Sequence, residues 1–135
     1  MKNLFDEILR IKEEDEVGME LMEGASDEDI AKFEQDNGIT LPGYYKEFLR
    51  FSDGCFLFNG MLQLYGIKSK PAVEMNPKGF DDGYILIGSF DDGEGVCITG
   101  NSEKIFRYSE TTTEHDNFVD FLDYTIRLGE EVYEC

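Results

Sequence analysis

The chain changes its hydrophobic period twice. In the first eleven residues Leu4, Phe5, Ile8, Leu9 and Ile11 recur at steps of three and four with charged residues between them, which predicts an amphipathic helix. After a glutamate-rich link, Ser26 precedes Asp27, Glu28 and Asp29, where a hydroxyl can cap a helix start and the acids meet the positive end of its dipole. A second helix is expected from about Asp27 to Asn37, burying Ile30 and Phe33 and stopping at Gly38. Leu41-Pro42 opens a third, with Tyr44, Tyr45, Phe48, Leu49 and Phe51 as its inner face and Asp53-Gly54 as its end.

The pattern then shortens. Segments near residues 55–58, 61–67, 84–90, 95–99 and 104–108 are β-rich and separated by Asn59-Gly60, Asp91-Asp92-Gly93 and Gly100-Asn101, all hairpin signals. Helical spacing returns at Phe118, Phe121, Leu122, Thr125 and Ile126, with Asp116 placed for the helix start. The expected fold is a single α+β domain over residues 1–135: a mostly antiparallel sheet of five to six strands, with N-terminal helices and a C-terminal helix packed on it.

Composition narrows the function. With 30 acids against 12 bases in 135 residues the net charge is −18, a surface that repels nucleic acid and anionic membrane, and no apolar run reaches the ~18 residues a spanning helix needs. The aromatic share of 13% is enough for a packed core. The start, MKNLFDEILRIKEEDE, carries acids within its apolar stretch and does not read as a signal peptide. Cys55, Cys97 and Cys135 contain no CxxC pair, which fits reduced thiols in a cytoplasmic setting and gives no structural zinc site. The charge is uneven: residues 1–36 hold 13 acids and 4 bases, residues 110–135 hold 8 acids and 1 base, and the stretch between is nearly neutral. Acidic helical flanks of this kind steer a basic partner.

No catalytic constellation emerges. His115 is the one histidine and sits in a Thr-Thr-Thr-Glu-His-Asp stretch before a helix, the place of a loop or capping residue. Asp81-Asp82-Gly83 and Asp91-Asp92-Gly93-Glu94 lack the alternate ligands and distant glutamate of a calcium loop, so turn chemistry accounts for them. The expectation is a non-enzyme without metal or cofactor. A small hydrolytic or metal-binding protein using the two DDG loops is the further alternative.

The run EGASDEDIAKFEQDNGITLPGYYKEFLRFSDG, residues 23–54, resembles the opening signature of the SUKH superfamily, which includes the domain of the yeast Smi/Knr cell-wall regulator and many bacterial immunity proteins. The matching positions are Ser26, Ile30, Phe33, Gly38, Leu41, Pro42, Tyr45, Phe48, Leu49 and Gly54. Farther on, Ile87-Gly88-Ser89 and then Asn117-Phe118 with Phe121-Leu122 resemble the family's later strands and closing helix, so the likeness covers about residues 20–126. The chain departs from many relatives in having no Trp. The resemblance implies a protein that binds and neutralises a cognate toxin, often a nuclease, by stoichiometric occlusion, with a regulatory interaction module as the alternative. A basic toxin domain would suit the acidic charge. The expected contacts are acids in turns, Asp81, Asp82, Asp91, Asp92, Glu94, Glu114 and Asp116, together with Tyr108; Tyr44, Tyr65 and Tyr84 are further aromatic anchors.

Overall fold

The computed structural model describes residues 2–15, 18–68, 72–75, 83–99, 102–109 and 111–133. Four helices, α1 (Lys2–Asp15), α2 (Asp27–Asn37), α3 (Gly43–Phe51) and α4 (Phe118–Tyr133), accompany strands β1 (Glu20–Leu21), β2 (Cys55–Leu57), β3 (Leu62–Leu64), β4 (Glu74–Met75), β5 (Tyr84–Phe90), β6 (Gly95–Thr99), β7 (Ile105–Tyr108) and β8 (Thr112–His115). The strands form one eight-stranded sheet of order β1-β2-β3-β5-β6-β7-β8, with β4 also paired to β5, and every named pairing is antiparallel. The α+β expectation holds, with more strands than the five to six expected. The additions are β1 and β4, of two residues each, and β8, whose exposed Thr-Thr-Glu run has no apolar alternation and is held by backbone pairing to β7.

Register assigns the faces. Cys55 lies across from Leu64 and Leu57 from Leu62, placing four buried side chains on the helix side and leaving Phe56 and Gln63 on the other. Against this face α3 presents Tyr45, Phe48 and Leu49, and α4 presents Phe118, Phe121, Leu122, Thr125 and Ile126, none more than 1% exposed. Phe118 is the hub, with ring centroids 5.8 Å from Tyr45 and 5.9 Å from Phe48. Burying each such side chain stabilises the fold by about 1.5–3 kcal/mol.

The second helix has the bounds its sequence predicts and buries Ile30, whereas Phe33 is only partly buried. Ser26 and Asp29 form a capping box, and Gly38 at φ 64° closes the helix in the left-handed region. Three other details differ. Leu9 is 40% exposed, because the inner stripe of α1 is filled by Leu4, Phe5, Ile8 and Ile11. Pro42 precedes α3 rather than occupying its first turn, and its carbonyl accepts from the Tyr45 and Lys46 amides. The cap of α4 is Asn117, whose side-chain oxygen accepts from the Asp120 amide at 2.8 Å, rather than the neighbouring Asp116.

The chain leaving α3 makes a corner that ties distant segments together. Ala25 N–H donates to Leu49 O and Asp53 N–H to Glu23 O, drawing the approach to α2 along the end of α3. A Cβ on Gly24 would lie 1.9 Å from the Arg50 carbonyl, so only glycine permits that approach. Ser52 Oγ accepts from the Met22 amide and donates to Gly54 O. The buried Asp53 carboxylate accepts from the Ile67 amide at 2.6 Å and the Lys68 amide at 3.1 Å, pinning the chain that leaves β3.

Asp53→Ala should lower the unfolding free energy by about 3 kcal/mol, since it strands two amides that now donate to a charge, whereas Ser26→Ala should cost about 1 kcal/mol; urea titration measures both. A pH effect follows from the thiols. Cys55 and Cys97 are both pushed up to about 12 by burial, against an ordinary value of 9.0. Above that ordinary value the unfolded chain gives up these protons while the folded chain keeps them. Their contribution is therefore intact below pH 9 and is lost as pH climbs toward 12, and Cys97→Ala should flatten part of that decline.

Candidate partner-binding surface

The acids expected to make contacts fall in two places along the sheet rather than in one cluster. Asp91, Asp92 and Glu94 lie at the β5–β6 turn, and Tyr108 belongs to the same end of the sheet through its pairing with Gly95. Glu114 and Asp116 lie at the opposite end, where Ile105 pairs with His115. The four-residue β7–β8 pair separates these two places by roughly 10 Å, and His115 feels the charge of both Glu94 and Asp116. Asp81 and Asp82 fall outside the described residues.

Several of these side chains are engaged within the chain. Asp92 accepts the Glu94 amide at 2.9 Å, which is turn chemistry. Glu94 pairs with Arg107 at 2.5 Å, and both side chains are largely covered, 13% and 16% exposed. The Arg107 guanidinium lies over the Phe90 ring at 4.7 Å and over Tyr124 at 5.2 Å. Glu114 meets Lys104 at 3.1 Å on the surface, where such a pair is worth little. Among the described residues no three His, Cys, Asp or Glu side chains gather as a metal site.

Of the aromatic candidates, Tyr84 stacks on Phe106 with ring centroids at 5.5 Å and meets Tyr108 edge-on at 6.0 Å, on the sheet face away from the helices. This cluster, with Leu86 across from Cys97, explains how a cysteine on that face is buried. Tyr65 donates to Ser89 Oγ. His115 ends strand β8 rather than sitting in a loop. It packs on Phe121 and Tyr124, its Nε2 is buried without a hydrogen-bond partner among the described residues, and its pKa is lowered by burial and then by Arg107.

A different arrangement stands out on α4. Its outward face carries Val119 and Tyr124, 40% and 41% exposed, on either side of Asp120 and Asp123. With Leu9 of α1 these are the exposed large apolar side chains among the described residues. Arg127 joins the two terminal helices by reaching Glu7 of α1 as well as Asp123 and Glu130 of its own helix. The outer helices of the two acidic flanks, α1 and α4, are thus neighbours.

At the start of α4 this surface is indented. A cleft of about 260 Å³ is lined by Tyr44, Glu103, Asn117, Phe118, Val119 and Asp120. Tyr44 projects from the first turn of α3 with its ring 5.6 Å from Phe118, and its hydroxyl oxygen is buried without a hydrogen-bond partner among the described residues. Burial, with the Glu103 carboxylate nearby, pushes this phenol up to about 12, so it stays protonated. Sequence reading singled out Tyr44 as a possible anchor and left Glu103 unmarked. Nothing in a linear pattern joins positions 44, 103 and 117–120.

The chain is similar to known proteins along most of its length. The model of the SMI1 / KNR4 family (SUKH-1) matches residues 24–124. The uncharacterized protein YnaB of Bacillus subtilis (strain 168) is 39% identical over 87 residues, which cover 62% of this chain and 57% of that protein. The match therefore spans little more than half of the relative's length. The family match takes in the Gly24–Gly54 corner, both central helices and the start of α4, and so includes every residue lining the cleft.

A buried hydroxyl without a partner costs stability, so Tyr44→Phe should raise the unfolding free energy by about 1 kcal/mol. Thermal denaturation measures it. A fall in melting temperature would mean that the hydroxyl has a stabilising partner.

Proposed function

Because the chain belongs to the SMI1 / KNR4 family (SUKH-1), we propose that it is a non-enzymatic binding protein of the immunity type, which neutralises a basic toxin domain by occupying its working surface. The family match carries this reading. It is supported by the net charge of −18 and by the packing of the two most acidic segments against each other through Glu7 and Arg127. A nuclease toxin must present cationic groups to phosphates, and an acidic partner meets those same groups. Tight inhibition needs an interface of about 1,600 Å² with a few desolvated anchors, and the α4 face offers Val119 and Tyr124 within its acids.

Steering and contact are divided. Charges on exposed helices act over about 10 Å at 0.1 M salt, long enough to guide an encounter and too screened to fix a register. Glu34, held by Lys46 and by the Leu41 amide, and Glu94, held by Arg107, contribute less to that field than their number suggests. The exposed acids Asp120, Asp123 and Glu131 of α4 contribute more.

Co-expression with the toxin encoded beside it should restore growth and give a one-to-one complex on gel filtration. Continued killing with no complex removes the reading. In the complex, Asp123→Lys with Glu131→Lys should slow association about tenfold at low salt and flatten its salt dependence, while Asp91→Lys with Asp92→Lys should change it less; stopped-flow mixing distinguishes the pairs.

A further inference from the structure

We propose that the cleft between the first turns of α3 and α4 receives one cationic side chain of a protein partner, arginine in preference to lysine. The inference rests on the binding-protein reading above and assigns the chemistry of its contact. At about 260 Å³ the cleft is below the roughly 300–1,000 Å³ of small-molecule sites and suits a single side chain.

Its lining selects the charge. A helix N-terminus by itself attracts anions, but here the Asn117 side chain already accepts from the Asp120 amide, and the Glu103 and Asp120 carboxylates repel a second negative group. A cation is favoured by those carboxylates. The hydroxyl of Tyr44 adds a second, independent requirement, because its oxygen is buried without a partner among the described residues, and a small outward turn of the ring lets it accept from an incoming N–H. An apolar occupant would leave it stranded, so an aliphatic or phenyl anchor is the poorer fit.

Geometry favours guanidinium over ammonium. Arginine carries five N–H donors in a planar fork, enough to meet a carboxylate and the phenol oxygen together, and its plane can stack on the partly exposed Tyr44 ring. Its aliphatic stem can lie along Val119, which is 40% exposed at the rim. The orphaned hydroxyl then has a purpose: it costs the free protein stability and is satisfied only in the complex.

The probe is the capped tripeptide Ac-Gly-Arg-Gly-NH2, titrated into the isotope-labelled full chain and followed by amide shifts in two-dimensional NMR. Saturable shifts at Phe118, Val119 and Asp120 are expected. The citrulline version, equal in shape and without charge, should bind about tenfold more weakly, as should the Glu103→Gln/Asp120→Asn variant. Tyr44→Phe should weaken binding about threefold while its melting temperature rises, a pair of effects that a merely structural tyrosine would not give. Equal binding of the citrulline peptide, or shifts scattered over the acidic surface without saturation, overturns the proposal.

This failure is separable from failure of the toxin reading. A saturable, charge-dependent response in a chain that gives no protection keeps the cleft and removes the toxin. Scattered shifts in a chain that does protect removes the cleft and keeps the toxin.

Discussion

The fold depends on how the backbone leaves α3. At Ser52-Asp53-Gly54 the chain must stop a helix, turn into the sheet and cover its own polar groups, all in the interior. The two polar side chains there are only 0% and 4% exposed. Asp53 meets this constraint with a charge that accepts amides from the chain beyond β3, and Ser52 with a hydroxyl that serves the chain before α2. Gly54 at φ 89° takes the turn, where an added Cβ would also meet the Gly66 amide nitrogen at 2.9 Å. Without these contacts α2, α3 and the β2–β3 pair would lose their common reference. An uncompensated polar group in such a place costs about 1–3 kcal/mol, a large part of a domain's net stability.

This corner explains why the legible part of the sequence was legible. Ser26, Gly38, the Tyr45-Phe48-Leu49 stripe and Asp53-Gly54 are local signals whose outcome is set within a few residues, and they stand where expected. The stripe of α4 was equally plain because all five of its apolar-face positions are buried. What could not be read was set by pairing across distance. Strands β1 and β4 have two residues each, and β8 is a polar run made into a strand by its neighbour. Leu9 looked like core since it continues a stripe, but four other side chains had already filled the space.

The candidate surface was less legible than the fold for the same reason. Turn acids stand out in a sequence, and nothing in it tells which end of a sheet a turn occupies. Register decides that, placing Asp91 and Asp92 at one end and Glu114 and Asp116 at the other. The cleft draws on the start of α3, the approach to β7 and the start of α4, which come together only when Phe118 packs among the rings of α3.

Charge and packing therefore do different work in this molecule. Acid excess was visible at once, yet much of it is committed: Glu34 to Lys46, Glu94 to Arg107, Glu7 to Arg127. The remaining exposed acids give a broad negative field that any basic protein would feel, so the field alone gives little discrimination between partners. Discrimination requires a group whose burial is incomplete without one particular chemistry. The proposed contact at Tyr44 is of this kind, because the ring packs beside Phe118 while its hydroxyl is buried without a hydrogen-bond partner among the described residues. The core that closes the fold also positions an unpartnered polar atom beside the acidic surface, and this is how a generic attraction can acquire a specific end.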